Sequence, residues 1–438
     1  MRVAFHTLGC KVNQYETEAL KEMFSLKGYS VVDEKEFADI YVINTCTVTS
    51  LADRKSRQYI RKMKKVNPDS IVAVTGCYAQ VNPEEVAAIE AVNLVAGTNQ
   101  KARLVEYIEA YMDKSPQGTT CHIKPYEELT EYEETGIITS MDSKKRAFIK
   151  IQEGCNRFCS YCIIPYARGQ VRSRSMEEIL QEGKSLVDRG FKEIVLTGIN
   201  TALYGMENGE ADSGIEGIIK EISAIPGDFR IRLSSLEPTV INKDTVQRLF
   251  QYEKLCHHLH LSVQSGSNRV LTAMNRHYTR EEYLEIVGLL RDFDQGYGIS
   301  TDIIAGFPGE KEEDFADSLK IIREVGFCKV HAFNYSKREG TGAAEMGGHL
   351  SPDIKNRRTS ALIAEGEKAA RAFFKGCLGE NRLVLTENIE NGMIEGYTDN
   401  YIKTYIESED EKLLNRFVRV QMIEPYKEGV KAIIVGPS

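Results

Sequence analysis

Tryptophan is absent from all 438 residues, and no function attaches to that absence. Other absences exclude more. No stretch approaches the ~18 uncharged apolar residues that a membrane span needs. The opening "MRVAFHTLGCKVNQYE" has no long apolar run followed by a small-residue cleavage site, so a secretory leader is not expected. An excess of positive charge is lacking too: 56 Lys and Arg stand against 64 Asp and Glu, a net charge of −8, which gives no global attraction to nucleic acid. The expectation is a soluble, cytoplasmic protein with no membrane attachment. In a reducing compartment its ten cysteines point to metal or redox work before disulfides.

A fourth ligand is also missing where one would be sought. "EGCNRFCSYCIIPYARG" places Cys155, Cys159 and Cys162 within eight residues, with no further cysteine or histidine nearby. A structural zinc site takes four protein ligands. Four thiolates also close an iron–sulfur cluster, whereas three leave one iron open to a substrate or cofactor.

The rest of the chain is organised in three parts, expected at 1–110, 141–372 and 375–438, with a linker over 111–140. In the first, "VAFHTLGC", "ADIYVINTC" and "SIVAVTGC" are β-rich runs that each end in a cysteine: Cys10, Cys46 and Cys77. Helical segments lie between them, so a parallel βαβ sheet is predicted. Loops after parallel strands gather at one edge, which brings the three thiols together although they lie 36 and 31 residues apart. The second part repeats βα units. Strands are predicted at 146–151, 193–197, 230–234, 259–263, 300–304 and 330–334, a partial (β/α)6 barrel with the Cys155 loop after its first strand. The last part reads as about five short strands in a small antiparallel β-barrel, a form that often binds nucleic acid. Its eight basic and eleven acidic residues do not announce an RNA surface, and a barrel that only packs on the core is the lesser alternative. Overall the fold class is α/β.

Polar residues at the predicted strand ends are candidates for cofactor contact: Asn200, Ser235, Glu237, Gln264 and Asp302. Phe158 and Tyr161, between the cysteines, could lie on an adenine or simply pack. His258 and His260 share a strand face but lack a completing ligand set, so they are assigned to the core or the substrate side. Cys121, Cys256, Cys328 and Cys377 stand alone and are read as structural. "DRKSRQYIRKMKK" puts Arg54, Arg57, Arg61 and Lys64 or Lys65 on one helical face, either a solvated surface or a phosphate contact.

"CNRFCSYC" resembles the radical S-adenosylmethionine superfamily. Together with "TLGCKVNQYE", "NTCTV", "TGCYAQ", "LTGINTALYG", "SVQSGSNRVLTAMNR" and "AGFPGE", it is similar to the methylthiotransferase family over essentially the whole chain. The resemblance implies two [4Fe-4S] clusters, one on Cys10, Cys46 and Cys77 and one on Cys155, Cys159 and Cys162. It implies S-adenosyl-L-methionine as methyl donor and radical source, and a C-terminal barrel of the TRAM type. It also implies tRNA as substrate and an electron donor such as flavodoxin or ferredoxin. The motifs look most like enzymes that act on N6-threonylcarbamoyladenosine next to the anticodon. Where the isopentenyladenosine enzymes more often read Gly-Gln-Asn, this chain has Gly198-Ile199-Asn200. Where the ribosomal-protein enzymes carry Gly-Cys-Pro-Lys-Asn, it has Lys11-Val12-Asn13 after Gly9-Cys10. A reading of another class, a non-catalytic iron–sulfur sensor that binds RNA, predicts clusters that never cleave S-adenosylmethionine. No residue is assigned to the threonylcarbamoyl carboxylate, although Arg157 and Arg168 lie near the cysteine loop.

Overall fold

The computed structural model describes residues 1–114, 116, 118–138, 145–208 and 214–436. Its first part is a six-stranded parallel sheet in the order Ser30–Val32, Arg2–Thr7, Ile40–Thr45, Ile71–Gly76, Leu94–Ala96, Thr120–His122. The three central strands are the ones the apolar runs predict. They read as near-continuous Val, Ile and Ala because helices cover both faces. Ile40, Val42, Val72 and Val74 are fully out of water or nearly so, each contributing roughly 1.5–3 kcal/mol. The three outer strands have three residues each, too few to show a period.

Residues 111–140 depart from the expected linker. The helix Leu104–Lys114 runs into them, Thr120–His122 completes the sheet, and Leu129 and Ile138 are fully buried. The backbone N–H groups of Lys101 and Ala102 donate to Glu133, and Tyr132 donates to the Lys150 carbonyl. The segment is therefore packed against both neighbours, which its acidic composition conceals. Residues 139–144, including the expected start of the second part at 141, lie outside the described residues.

The second part has the six predicted strands in order, at Arg146–Glu153, Glu193–Gly198, Arg230–Leu233, His258–Leu261, Gly298–Ala305 and Lys329–Asn334. They form two four-stranded sheets, the first completed by the antiparallel Arg172–Ser173 and the second by Ser235–Leu236. The break falls at Ser234, and a pairing of Ile231 with Leu255 spans it. Helices pack outside through Ile179, Leu186, Ile219, Ile222, Leu290 and Ile322, all buried. The result is an open barrel whose strand ends face one edge.

The helix Pro352–Gly376 starts with proline in its first turn and Ser351 capping the Ile354 N–H, as helix entry favours. It leads to a closed five-stranded barrel. Four of its five strand pairings are antiparallel, and Lys403–Glu407 with Gly429–Ile434 is parallel. Arg230 and Arg232 anchor this barrel by donating to the carbonyls of Tyr397, Thr398 and Asp399. Glu193 holds both guanidinium groups in place.

Candidate active site

The strand Arg146–Glu153 delivers the chain to Gly154, where a β-carbon would lie 1.7 Å from the Gln170 carbonyl oxygen at φ +73. Only glycine permits this approach. The cysteine loop beyond it is pinned to its neighbours. Cys155 donates its N–H to the Gly169 carbonyl and Cys162 donates to Cys159. Ser160 is held by the carbonyls of Met274 and Ala273, and Asn275 donates to those of Arg157 and Phe158. Phe158 takes φ 46, a left-handed conformation that costs on the order of 1–3 kcal/mol for a non-glycine residue. Arg276, which the sequence did not single out, donates to Cys159 Sγ at 3.1 Å. Burial, then the adjacent Cys159, pushes the Cys162 thiol up to about 12.

The cofactor candidates separate into two groups. Glu237 accepts from Arg157 at 2.6 Å and from Asn200 at 3.1 Å, with Arg276 at 3.9 Å. The Asn200 side-chain oxygen is buried with no hydrogen-bond partner among the described residues, an acceptor left over for something bound. Ser235 enters through its backbone, accepting from Thr201. Gln264 (φ 63) and Asp302 sit apart from these, across the adjoining strand ends. Tyr161 packs on Val270, Met274 and Phe307, whereas Phe158 stays exposed, edge-on to Tyr166.

Cys10, Cys46 and Cys77 follow directly on the strands ending at Thr7, Thr45 and Gly76. Gly9 is so close to Cys46 that a β-carbon there would meet Cys46 Sγ at 3.1 Å. Burial, then the neighbouring Cys77 and Cys10 thiols, pushes Cys46 up to about 12. The strand ends thus place the Cys10 and Cys77 thiols as neighbours of Cys46. Arg168, fully buried, reaches in from the second part and donates to Cys77 Sγ at 3.2 Å. It also bonds Asn13, Glu16 and Glu153. Lys101 and Lys150 complete this buried charge cluster around Glu16. Among the described residues no three His, Cys, Asp or Glu side chains are set to hold a single metal ion. What the two triads share is a cavity of about 390 Å³ lined by Cys10 from one and Cys162 from the other, together with Tyr161, Gln264, Asp302 and Ser336.

The comparisons fit this arrangement. Residues 2–97 match the model of the uncharacterized protein family UPF0004, and residues 149–322 match the radical SAM superfamily. The chain is 41% identical to a threonylcarbamoyladenosine tRNA methylthiotransferase of Bacillus subtilis, over 98% of this chain and 95% of the relative. It is 40% identical to the Aquifex aeolicus enzyme of the same description, over 96% and 100%. The chain belongs to the radical SAM methylthiotransferase family. A tRNA-2-methylthio-N(6)-dimethylallyladenosine synthase of Acetivibrio thermocellus is 36% identical over 88% of this chain and 80% of the relative. Among solved structures, the radical S-adenosylmethionine methyltransferase TsrM of Kitasatospora setae aligns with a TM-score of 0.59 at 14% identity, covering 78% of this chain and 77% of that one. That likeness shows the fold. Membership of the methylthiotransferase family implies S-adenosylmethionine and [4Fe-4S] chemistry. The donor set fits such a group: thiols pinned in a loop, an arginine on one sulfur of each triad, and an unpaired acceptor beside the first.

The remaining candidates fall outside this site or at its edge. His258 is buried, bonded to Ser300 and stacked on Tyr401 of the C-terminal barrel, while His260 meets Ser300 and Asp302. Cys256, Cys328 and Cys377 are buried, and Cys121 is exposed on the edge strand. Arg157 holds Glu237 and Arg168 holds Cys77, so each joins the thiol networks. Arg276 closes the quoted motif "SVQSGSNRVLTAMNR" without a role assigned to it, and Arg338, which ion-pairs with Asp53 at 2.6 Å, carried no sequence signal beyond being arginine. No helix among the described residues is long and apolar enough to cross a membrane.

Proposed function

We propose that this chain methylthiolates C2 of N6-threonylcarbamoyladenosine next to the anticodon of tRNA, giving 2-methylthio-N6-threonylcarbamoyladenosine. The observation that carries the reading is the shared cavity faced by Cys10 and Cys162, a cysteine from each triad. The names of the relatives at about 40% identity supply the substrate. In this reading residues 1–110, 141–372 and 375–438 form a cluster domain, a radical core and a TRAM-like barrel. Cys155, Cys159 and Cys162 hold one [4Fe-4S] cluster, and Cys10, Cys46 and Cys77 hold a second. When bound, these groups and S-adenosylmethionine supply the electron, the radical that activates an unreactive C–H bond, the methyl group and the sulfur.

The chain's own residues do the rest. Arg276 and Arg168 place positive charge on one sulfur of each triad, stabilising thiolates that burial would otherwise keep protonated. Arg157 fixes Glu237, and Glu237 accepts from the Asn200 side-chain amide, leaving the Asn200 oxygen as a buried acceptor without a partner among the described residues. Burial acts to raise the Asp302 pKa, and the neighbouring His260 and His331 together with the Ser262 hydroxyl outweigh it, holding the carboxyl below its usual range. That leaves a fixed anion in the cavity, suited to a cationic portion of S-adenosylmethionine. Tyr161, Ile163, Ile304 and Phe333 line the same space and exclude water from reactive species. The reductant is a small electron carrier of the flavodoxin or ferredoxin kind, and the setting is the cytoplasm.

Nucleoside mass spectrometry of tRNA from cells with and without the gene tests the reading. Loss of the methylthio derivative with accumulation of its parent supports it. Loss of the dimethylallyl-type methylthio nucleoside moves the chain to the sibling activity. If neither nucleoside changes, the tRNA reading fails.

A further inference from the structure

The helix Ser50–Val66 begins at the mouth of the shared cavity. Its capping residue Thr49 and the preceding Val48 line that cavity. Ser50 bonds through its N–H and hydroxyl to Ser336, another lining residue. From there one face of the helix stays in solvent: Leu51, Arg54, Lys55, Gln58, Arg61, Lys62 and Lys65 are exposed, at spacings of three and four. The stripe covers roughly 21 Å at 1.5 Å per residue. Its two acid-facing neighbours are already spoken for, since Asp53 is buried against Arg338 and Arg57 pairs with Glu85. Arg54, Lys55, Arg61, Lys62 and Lys65 enter no ion pair among the described residues, and Asp53 is the helix's only acid. A solvated helix face ordinarily carries both signs. This one carries one sign, in a chain whose net charge is −8.

The C-terminal barrel differs. Lys403 is paired with Glu428 and Glu395, Lys431 with Glu407, and Arg382 with Asp294, while Lys412, Arg416, Arg419 and Lys427 are exposed and enter no ion pair among the described residues but stand interspersed with acids. Its acids outnumber its bases, and Arg230 and Arg232 hold it down on the core.

We propose that the stripe Arg54, Lys55, Arg61, Lys62 and Lys65 is the main phosphate-backbone contact of the substrate RNA, guiding it along the N-terminal helix to the cavity. The proposal rests on the tRNA reading and adds where the RNA lies. Each phosphate neutralised releases condensed counterions, so the contact is read by how steeply binding weakens with salt. The exposed Val48 and Leu51, between the cations and the cavity, give an apolar step on which an unstacked base can rest.

The test is equilibrium binding of substrate tRNA over a salt series, using the whole protein. Three chains are compared: the unaltered one, a triple variant Arg54→Gln, Arg61→Gln and Lys62→Gln, and a barrel variant Lys412→Gln, Arg416→Gln and Lys427→Gln. All six positions are exposed, and thermal melting verifies that each variant folds. The expected result is a helix variant whose log K against log salt slope is shallower by about two to three, at roughly 0.7–0.9 per contact, with the barrel variant changed by less. A helix variant with the original slope overturns the proposal, as does a barrel variant with the larger change. If the unaltered protein binds no tRNA at any salt, the tRNA reading itself falls and takes the proposal with it.

Discussion

Arg168 Nε donates to Cys77 Sγ at 3.2 Å across 91 residues of sequence, joining the loop after the radical core's first strand to the third cysteine of the N-terminal sheet. The same guanidinium bonds Glu16 at 2.5 Å and Glu153 at 3.1 Å. Removing one partner of a buried ion pair leaves the others uncompensated, a loss of roughly 3–5 kcal/mol. Arg168→Met is therefore expected to lower the denaturant midpoint by that order. Arg168→Lys keeps the charge and loses the fork, so it should destabilise less. Equal midpoints for Arg168→Met and the unaltered chain would show that the cluster adds nothing net.

Acid should undo this cluster from one side. Burial works to raise Glu153, but Arg168 and Lys150 overcome it and hold the carboxyl at about 2; Glu16 is likewise well below its usual range. A depressed carboxyl contributes stability above its unfolded value near 4.5 and loses it as pH falls through the folded value. Urea midpoints should then fall steeply from about pH 4.5 toward pH 2. A midpoint constant across that window would contradict the assignment.

A shallower loss is expected at higher pH, from His258. Burial, then Arg232, holds this imidazole well below 6.5, so it is neutral in the fold. The sign is that of a group forced to stay uncharged: stability is present above about pH 6.5 and declines as pH falls below it. His258→Gln should flatten the stability profile between about pH 6.5 and 5. If the profile keeps its slope in the variant, another group titrates there.

The two cysteine triads should separate by substitution. Alanine at Cys155, Cys159 or Cys162 is expected to abolish reductive cleavage of S-adenosylmethionine. Alanine at Cys10, Cys46 or Cys77 should spare cleavage, remove roughly half of the bound iron and stop methylthiolation. Normal product yield from a Cys46→Ala chain would refute the division of labour.

Gly154→Ala places a methyl group against the Gln170 carbonyl in a left-handed backbone conformation. The expected cost is on the order of 3 kcal/mol, read as a lowered melting temperature together with a weakened iron–sulfur absorbance. An alanine variant that melts with the parent would mean that the loop can shift away from Gln170.

What the sequence disclosed was whatever is written locally. The strands of the core and the apolar runs before Cys10, Cys46 and Cys77 are legible because buried parallel strands need uninterrupted Val, Ile and Leu. The Cys155 loop is legible because its three cysteines come at short spacing within eight residues. The packed segment after Lys114 was not, since "YEELTEYEET" is acidic and aperiodic, and its order comes from partners such as Lys101 and Lys150 far along the chain. The roles of Arg276, although it closes a quoted motif, and of Arg338 were illegible for a related reason. An arginine shows its charge in a sequence, but what it pairs with is decided by the fold.

The seam between the N-terminal sheet and the core is stitched at two separated places. Arg168 and Tyr15 bond across it on one side, the latter to Glu182 and Arg174, and Arg338 crosses to Asp53 and Thr47 on the other. Two such fasteners remove the freedom to swing as well as to slide. These contacts act to hold the spacing between Cys10 and Cys162, which line the same cavity. In the proposed reaction, a group passed between the triads would then travel with the bound molecule, across a gap that these contacts oppose widening.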